Sequence, residues 1–154
     1  MTVDPYGQWM GTPRSRRDVD DLLSSAGWGV LSVAENEEPY SIPVSFGYDG
    51  DDVYFGLIRD SPTNTKFDFV GAGATARLLV TDVRARFDWR SVAVTGPLRA
   101  IERDSDDWET LMDSLAENAW FSPSFERAEG VEEVQGWRLV PSEMSGIEVT
   151  PDRA

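Results

Sequence analysis

The chain contains no cysteine and no histidine. The first absence excludes disulfides, thiolate metal sites and thiol nucleophiles. The second excludes a Ser-His-Asp triad, imidazole-ligated zinc or iron, and the commonest general base near neutral pH. Lysine is almost missing as well: of the 14 Lys and Arg residues, only Lys66 is a lysine. No apolar run approaches 18 residues, so no helix is expected to span a membrane. Residues 1–13 lack the apolar stretch of a signal peptide, and a cytoplasmic location is expected. Chemistry must come from a borrowed cofactor, or the protein works by binding alone.

What is abundant is acid. Twenty-eight Asp and Glu against 14 Lys and Arg give a formal net charge of −14. Such a charge repels nucleic-acid phosphates and anionic membrane surfaces, so neither is an expected partner. The acid is spread along the chain, and six Trp, seven Phe and four Tyr supply a core that a disordered acidic tail would lack. Spread acid with arginine in place of lysine is the composition of proteins made for concentrated salt, where a Debye length of about 3 Å at 1 M screens self-repulsion. A halophilic source is therefore expected. At 154 residues the chain is one domain, able to bury roughly 70% of its unfolded surface.

Residues 1–14 hold Pro5, Gly7, Gly11 and Pro13 and read as a flexible arm. The domain proper is expected over 15–150. Ser15 can cap a helix through Ala26, with Val19, Leu22, Leu23 and Ala26 at helical spacing and Gly27 as its stop. Strands are expected at 28–33, 40–48 and 53–57, joined by turns at 35–38 and 49–52, as a three-stranded antiparallel meander. A short helix is expected at 66–70, a fourth strand at 77–81, and a fifth at 91–101. Gly96-Pro97 interrupts the fifth as a bulge or barrel corner. The clearest helix is 105–118, with Trp108, Leu111, Met112 and Leu115 on one face and acid in its first turn. Strands at 135–140 and 146–149 complete an α+β, mainly β, domain. Six or seven antiparallel strands with two or three peripheral helices suggest a small closed barrel, whose ligands bind at the rim or between subunits.

Lys66 follows Pro62-Thr63-Asn64-Thr65 at the start of a predicted helix. A helix N-terminus, two hydroxyls, an amide and an ammonium would make an anion site suited to a phosphate monoester. Equally, Thr65 could be a simple N-cap and Lys66 one surface cation. Arg84, Arg86 and Arg90, with Phe87 and Trp89, could line an anionic or planar pocket or pair with Asp82 and Asp88. Trp28, Trp108 and Trp137 read as core or interface anchors, and Asp49, Asp51 and Asp52 as an acidic hairpin turn. Arg14, Arg16 and Arg17 read as part of a solvated arm rather than a phosphate clamp.

The blocks 29–33, 39–46, 52–56, Asn64-Thr65-Lys66, 77–80 and 89–96, in that order, resemble the FMN-binding split-barrel proteins. This is the superfamily of pyridoxamine 5′-phosphate oxidase, and the sequence is similar to the branch with the nitroimidazole-resistance proteins. The resemblance implies a six- to seven-stranded antiparallel split barrel forming a homodimer with FMN at the subunit interface. It carries the isoalloxazine strand onto Ile42, Pro43, Val44, Ser45 and Phe46, and adds Phe55 and Gly56 from the next strand. Asn64, Thr65 and Lys66 correspond to the phosphate motif and Ser91 to a ring-proximal polar position, with Trp89 and Arg90 nearby. The implied activity is flavin-dependent oxidoreduction of a small molecule, with a small-molecule electron donor. A flavin-holding module without a substrate, or a deazaflavin-dependent reductase, are the alternatives.

Two departures narrow this. Ser41 and Phe46 stand where the pyridoxamine phosphate oxidases carry basic residues, and their substrate segment is not visible at 136–139, so vitamin B6 oxidation is not expected. Gly56 stands where the nitroimidazole-resistance proteins often place a histidine.

Overall fold

A computed structural model describes residues 10–35, 37–59, 73–116, 118 and 133–151. The predicted helix at 66–70 and the motif Asn64-Thr65-Lys66 lie outside the described residues. Eight strands are found: β1 Thr12–Pro13, β2 Trp28–Glu35, β3 Glu38–Tyr48, β4 Val53–Arg59, β5 Thr75–Ala85, β6 Asp88–Ile101, β7 Glu133–Leu139 and β8 Glu143–Val149. Two longer helices accompany them: α1 Arg16–Ala26 and α2 Asp106–Ala116.

Six strands close into an antiparallel barrel in the order β6-β5-β2-β3-β4-β7, with β7 returning to β6. The meander β2-β3-β4 is present. β6 makes closure possible because it changes partner halfway. Trp89 to Thr95 pair with β8, while Leu98 to Ile101 pair with β7. The change falls at Gly96-Pro97, where a corner was expected. A Cβ on Gly96 would run into the carbonyl oxygen of Val140, in the connection that crosses over from β7 to β8. Val140 N–H and Ser142 N–H donate to the carbonyls of Pro97 and Thr95, so the crossing is bonded on both sides of the glycine.

The pleat explains the core. Along β5, Ala76, Leu78 and Val80 are buried while Thr75, Arg77, Leu79 and Thr81 are exposed, the two-residue period of a sheet with one face inward. Leu31, Phe46, Phe55, Leu78, Val94 and Trp137 meet inside the barrel. α1 packs against this core with Val19, Leu22 and Leu23. It begins at Ser15, whose Oγ accepts from Asp18 N–H at 3.2 Å, and ends at Gly27, whose φ of +81° only glycine adopts freely. α2 lies on the outer side of the barrel, with Leu111 and Leu115 against Tyr54 and Ile101.

The predicted arm ends in structure. Thr12 and Pro13 pair with Glu148 and Ile147, adding β1 to the free side of β8. Arg14 is correspondingly not solvated: its side chain is 4% exposed, 3.5 Å from Glu148 and 3.7 Å from Asp18.

Candidate functional site

β3 belongs to two neighbours in succession. From Glu38 to Ser45 it pairs with β2, and from Phe46 to Tyr48 with β4. β4 meets β3 only through Val53 to Phe55, and from there it follows β7 alone. The two strands therefore part after Phe46 and Phe55. On the side away from β2, no described strand pairs with Ser41 to Val44. Main-chain donors and acceptors along such an edge seek partners as a sheet edge does.

The expected cofactor residues sort themselves by the pleat. Val44, Phe46 and Phe55 are buried with their side chains in the core, so only their main chain could reach a surface ligand. Ile42 is half-buried and packs on the same core. Pro43 and Ser45 alternate with these and face outward, as does half-buried Ser91 on β6. Gly56 sits just past the parting, opposite Gly136 of β7. The structure thus brings Pro43, Ser45 and Ser91 to one outer face and puts Gly56 at the seam beside it.

That outer face is unusually apolar. Register carries a row across four strands through Pro43, Val30, Leu79 and Ala93. Beside it lie Trp28, opposite Ser45, and Ile147, opposite Ser91. Trp28 and Leu79 are each 42% exposed, and Ile147 is 37% exposed. A polar row borders the patch: Ser41, Ser32, Arg77, Thr95 and Glu143, each opposite the next. Ser32 and Ser41 are bonded through their hydroxyls at 2.9 Å. Sequence reasoning passed over Arg77, because Arg-Leu-Leu-Val marks a strand without saying which strands flank it.

The end of β3 is held by two other elements. Phe46 N–H donates to the carbonyl of Gly27, and the Asn118 amide donates to the carbonyls of Gly27 and Phe46 at 2.6 and 2.8 Å. Asn118, two positions past α2, thus ties the α1 stop to the strand expected to meet the flavin.

The arginines near the β5–β6 turn are paired. Arg90 donates twice to Asp82 Oδ2, at 2.7 and 3.2 Å, and Arg84 lies 3.5 Å from the same oxygen. The hydrogen bond from Arg90 holds the Asp82 carboxyl below the ordinary carboxylate value. Arg86 lies over the Phe87 ring. Asp49 Oδ1 accepts from the N–H groups of Asp51 and Asp52, which closes the hairpin turn. Trp137 is a core residue, Trp108 on α2 packs against the cluster of Tyr54, Ile101, Leu111 and Leu115, and Trp28 stands on the outer face.

Comparison with known proteins agrees with this architecture. The family model described as pyridoxamine 5′-phosphate oxidase matches residues 15–148. Among solved structures, an FAD-binding protein of Mesorhizobium loti superposes with a TM-score of 0.72 at 17% identity, covering 92% of this chain and 98% of that one. The FAD-binding protein of Mycobacterium smegmatis gives 0.68 at 17% identity over 92% and 100%. A candidate 5-nitroimidazole antibiotic resistance protein of Bacteroides thetaiotaomicron gives 0.64 at 17% identity over 88% and 85%. No curated protein sequence matches the chain.

Proposed function

Because the chain belongs to the pyridoxamine 5′-phosphate oxidase family, we propose that it binds FMN between two copies of itself and serves as a flavin-dependent oxidoreductase of a small molecule. The observation that carries this reading is the parting of β3 from β4 beside an apolar sheet face. A flavin has a flat apolar ring body with a polar N and O edge, which suits an apolar face bordered by main-chain donors and acceptors. Exposed apolar patches of this kind mark interfaces, and a second copy would cover Trp28, Leu79 and Ile147.

On this reading Ile42, Pro43, Val44, Ser45 and Phe46 present their main chain to the ring edge, and Phe55 and Gly56 border it from β4. Ser91 offers a hydroxyl from β6. Asn64, Thr65 and Lys66 hold the phosphate, the ammonium as a point charge. Bound flavin supplies hydride or electron transfer, and the protein supplies orientation and electrostatics. With no His or Cys, protons move through water, a tyrosine or a carboxylate. Ser41 and Phe46 leave the pyridoxamine phosphate subsite without its cations, so the substrate is another small molecule. The same lack of His and Cys favours a second reading, a flavin-holding module without its own turnover. The FAD bound by two structural neighbours makes FAD a competitor to test alongside deazaflavin.

The test is a visible absorbance titration with FMN, FAD and riboflavin in molar potassium chloride, with sedimentation to count subunits. One FMN per subunit of a dimer is expected. A protein that stays colourless with every flavin would end the redox reading and leave deazaflavin as the next ligand. Bleaching by NAD(P)H with turnover of an acceptor separates the enzyme from the holder. Lys66→Ala should weaken FMN by about 1.5–3 kcal/mol, the range for a charged hydrogen bond; unchanged affinity would remove the phosphate assignment.

A further inference from the structure

In a chain of net charge −14, an anion can be held only where a cation is locally unbalanced. Among the described residues, most arginines are balanced. Arg14, Arg16, Arg84, Arg90 and Arg138 face carboxylates, while Arg86 and Arg103 lie over Phe87 and Trp108. Of the arginines whose side chains are described, Arg17, Arg77 and Arg99 remain. Arg17 stands on the exposed side of α1. Arg99 is exposed and lies opposite Arg138 beside a cavity of ≈ 470 Å³, where Asp52 and Asp107 already face Arg138.

Arg77 is placed differently. It is the outward cation of β5 on the apolar face, in the row Ser41-Ser32-Arg77-Thr95-Glu143. Adjacent strands lie about 4.8 Å apart, so its guanidinium, on a long flexible stem, reaches over Ser32 on one side or Thr95 on the other. Both offer hydroxyls, and the nearest carboxylate of the row, Glu143, is two strands away. Immediately alongside lies the apolar row of Pro43, Val30, Leu79 and Ala93. If that face is covered, Arg77 is covered with it, and an unpaired buried guanidinium is costly.

We infer that Arg77, with the hydroxyls of Ser32, Ser41 and Thr95, is an oxyanion seat that takes the phosphate or carboxylate of a ligand whose flat apolar part lies on Val30 and Leu79. The seat is built from residues other than the Lys66 motif and does not depend on the flavin reading. A guanidinium presents paired N–H donors to two oxygens at once, and flanking hydroxyls can donate to the third. The missing strand cation at Ser41 is thereby replaced from β5, two strands away in the same row.

The experiment uses the full chain and its Arg77→Gln and Arg77→Lys variants, with Arg17→Gln as the control for an exposed cation. Inorganic phosphate is titrated at constant ionic strength while the amide NMR signals of Ser32, Arg77 and Thr95 are followed, with and without FMN. Saturable shifts in the wild type and in R17Q, lost in R77Q and weakened in R77K, are expected. Where FMN affinity also falls about tenfold in R77Q while riboflavin affinity holds, the oxyanion is the flavin's own phosphate. Where FMN is unaffected and phosphate still binds the FMN-loaded wild type, it belongs to a second ligand. Phosphate shifts that are absent from the wild type, or equal in wild type and R77Q, would overturn the inference. So would an R77Q effect confined to the monomer–dimer equilibrium, which would assign Arg77 to a carboxylate of a second copy. Failure of every flavin to bind would end the flavin reading alone, since the phosphate arm stands without it.

Discussion

Phe46 and Phe55 face each other across β3 and β4, and beyond this pair the two strands separate. The pair is both the last cross-strand contact of the meander at that seam and part of the barrel core, at 2% and 1% exposure. Phe55→Ala should cost about 3–5 kcal/mol of stability, the range for removing a buried aromatic. Flavin affinity should fall with it, since the strands that frame the ring edge lose their last common anchor. Urea unfolding monitored by tryptophan fluorescence checks the first, and FMN titration of the folded fraction the second. A loss below about 1 kcal/mol would show that the site refills.

Asn118→Ala tests the tie between α1, α2 and β3. It leaves the carbonyls of Gly27 and Phe46 short of a side-chain donor, a loss of about 1–3 kcal/mol. Hydrogen exchange should quicken at the end of β3 first. Uniform acceleration across the barrel would mean that the amide has no local role.

Tyr48 and Asp20 set a pH window. The Tyr48 hydroxyl donates to Asp20 Oδ1 at 2.5 Å, and Arg16 bonds the same oxygen. Burial, then the bond to Asp20, pushes the tyrosine up to about 12, and the tyrosine's hydrogen bond holds the carboxyl below its ordinary value. A raised tyrosine contributes stability in full below its unfolded value of 10 and loses it as pH climbs through about 12. A lowered carboxyl contributes above its ordinary 3.8 and loses that as pH falls through the lowered value. Tyr54, also pushed up to about 12 by burial and its bond to Asp49, adds to the alkaline limb. Asp52, raised by burial, opposes the acid limb. Tyr48→Phe should therefore lower stability at neutral pH and shrink both limbs without abolishing either. Denaturant midpoints from pH 3 to 11 in both proteins, at about one-unit steps, would reveal an unchanged profile if the bond were idle.

Salt should stabilise. With a net charge of −14, shortening the Debye length from about 10 Å at 0.1 M to about 3 Å at 1 M relieves self-repulsion of the compact state. Thermal midpoints should rise across that range of potassium chloride. A flat or falling series would contradict the reading of the acid as an adaptation to concentrated salt.

Gly96→Ala probes the barrel corner. The new methyl would meet the carbonyl of Val140, a residue whose N–H is tied to the Pro97 carbonyl, so the connection must move. A cost of about 1–3 kcal/mol is expected, as for other overpacked sites. A neutral result in thermal unfolding would show that the crossing is slack.

Elements were legible in the sequence wherever period and punctuation agreed. Ser15 and Gly27 bound α1 because one hydroxyl and one left-handed residue finish a helix locally, and the turn at Asp49 to Asp52 is closed by the Asp49 side chain. The outer half of the β5–β6 hairpin read as a charged loop. Asp82 to Arg90 does alternate, but its apolar residues Val83, Ala85, Phe87 and Trp89 fall at odd positions whereas β5 buries Ala76, Leu78 and Val80. The pattern breaks phase and the charges dominate, although Asp82 pairs with Arg90 and Val83 with Trp89. β1 was not legible either, since two residues cannot display a period and Thr12-Pro13 is a strand only because β8 has a side to offer. At the site, Pro43, Ser45 and Ser91 could be placed on strands but not on one face. Register between distant strands, such as Val53 with Leu139, depends on barrel closure, which no local pattern encodes.

β6 is shared by the two halves of the barrel, and that has a kinetic consequence. Trp89 to Thr95 are flanked by β5 and β8, and Leu98 to Ile101 continue onto β7, so neither part of the wall can finish forming before β6 is in place. β4 must wait for β7, some eighty positions along the chain, before the wall is complete. The protein should therefore assemble late and in one step, with the amides around Val92 to Leu98 exchanging only through global opening. A chain broken within β6 should yield no half that folds by itself, whereas a break between β7 and β8 would spare the closed ring and cost only the outer strands.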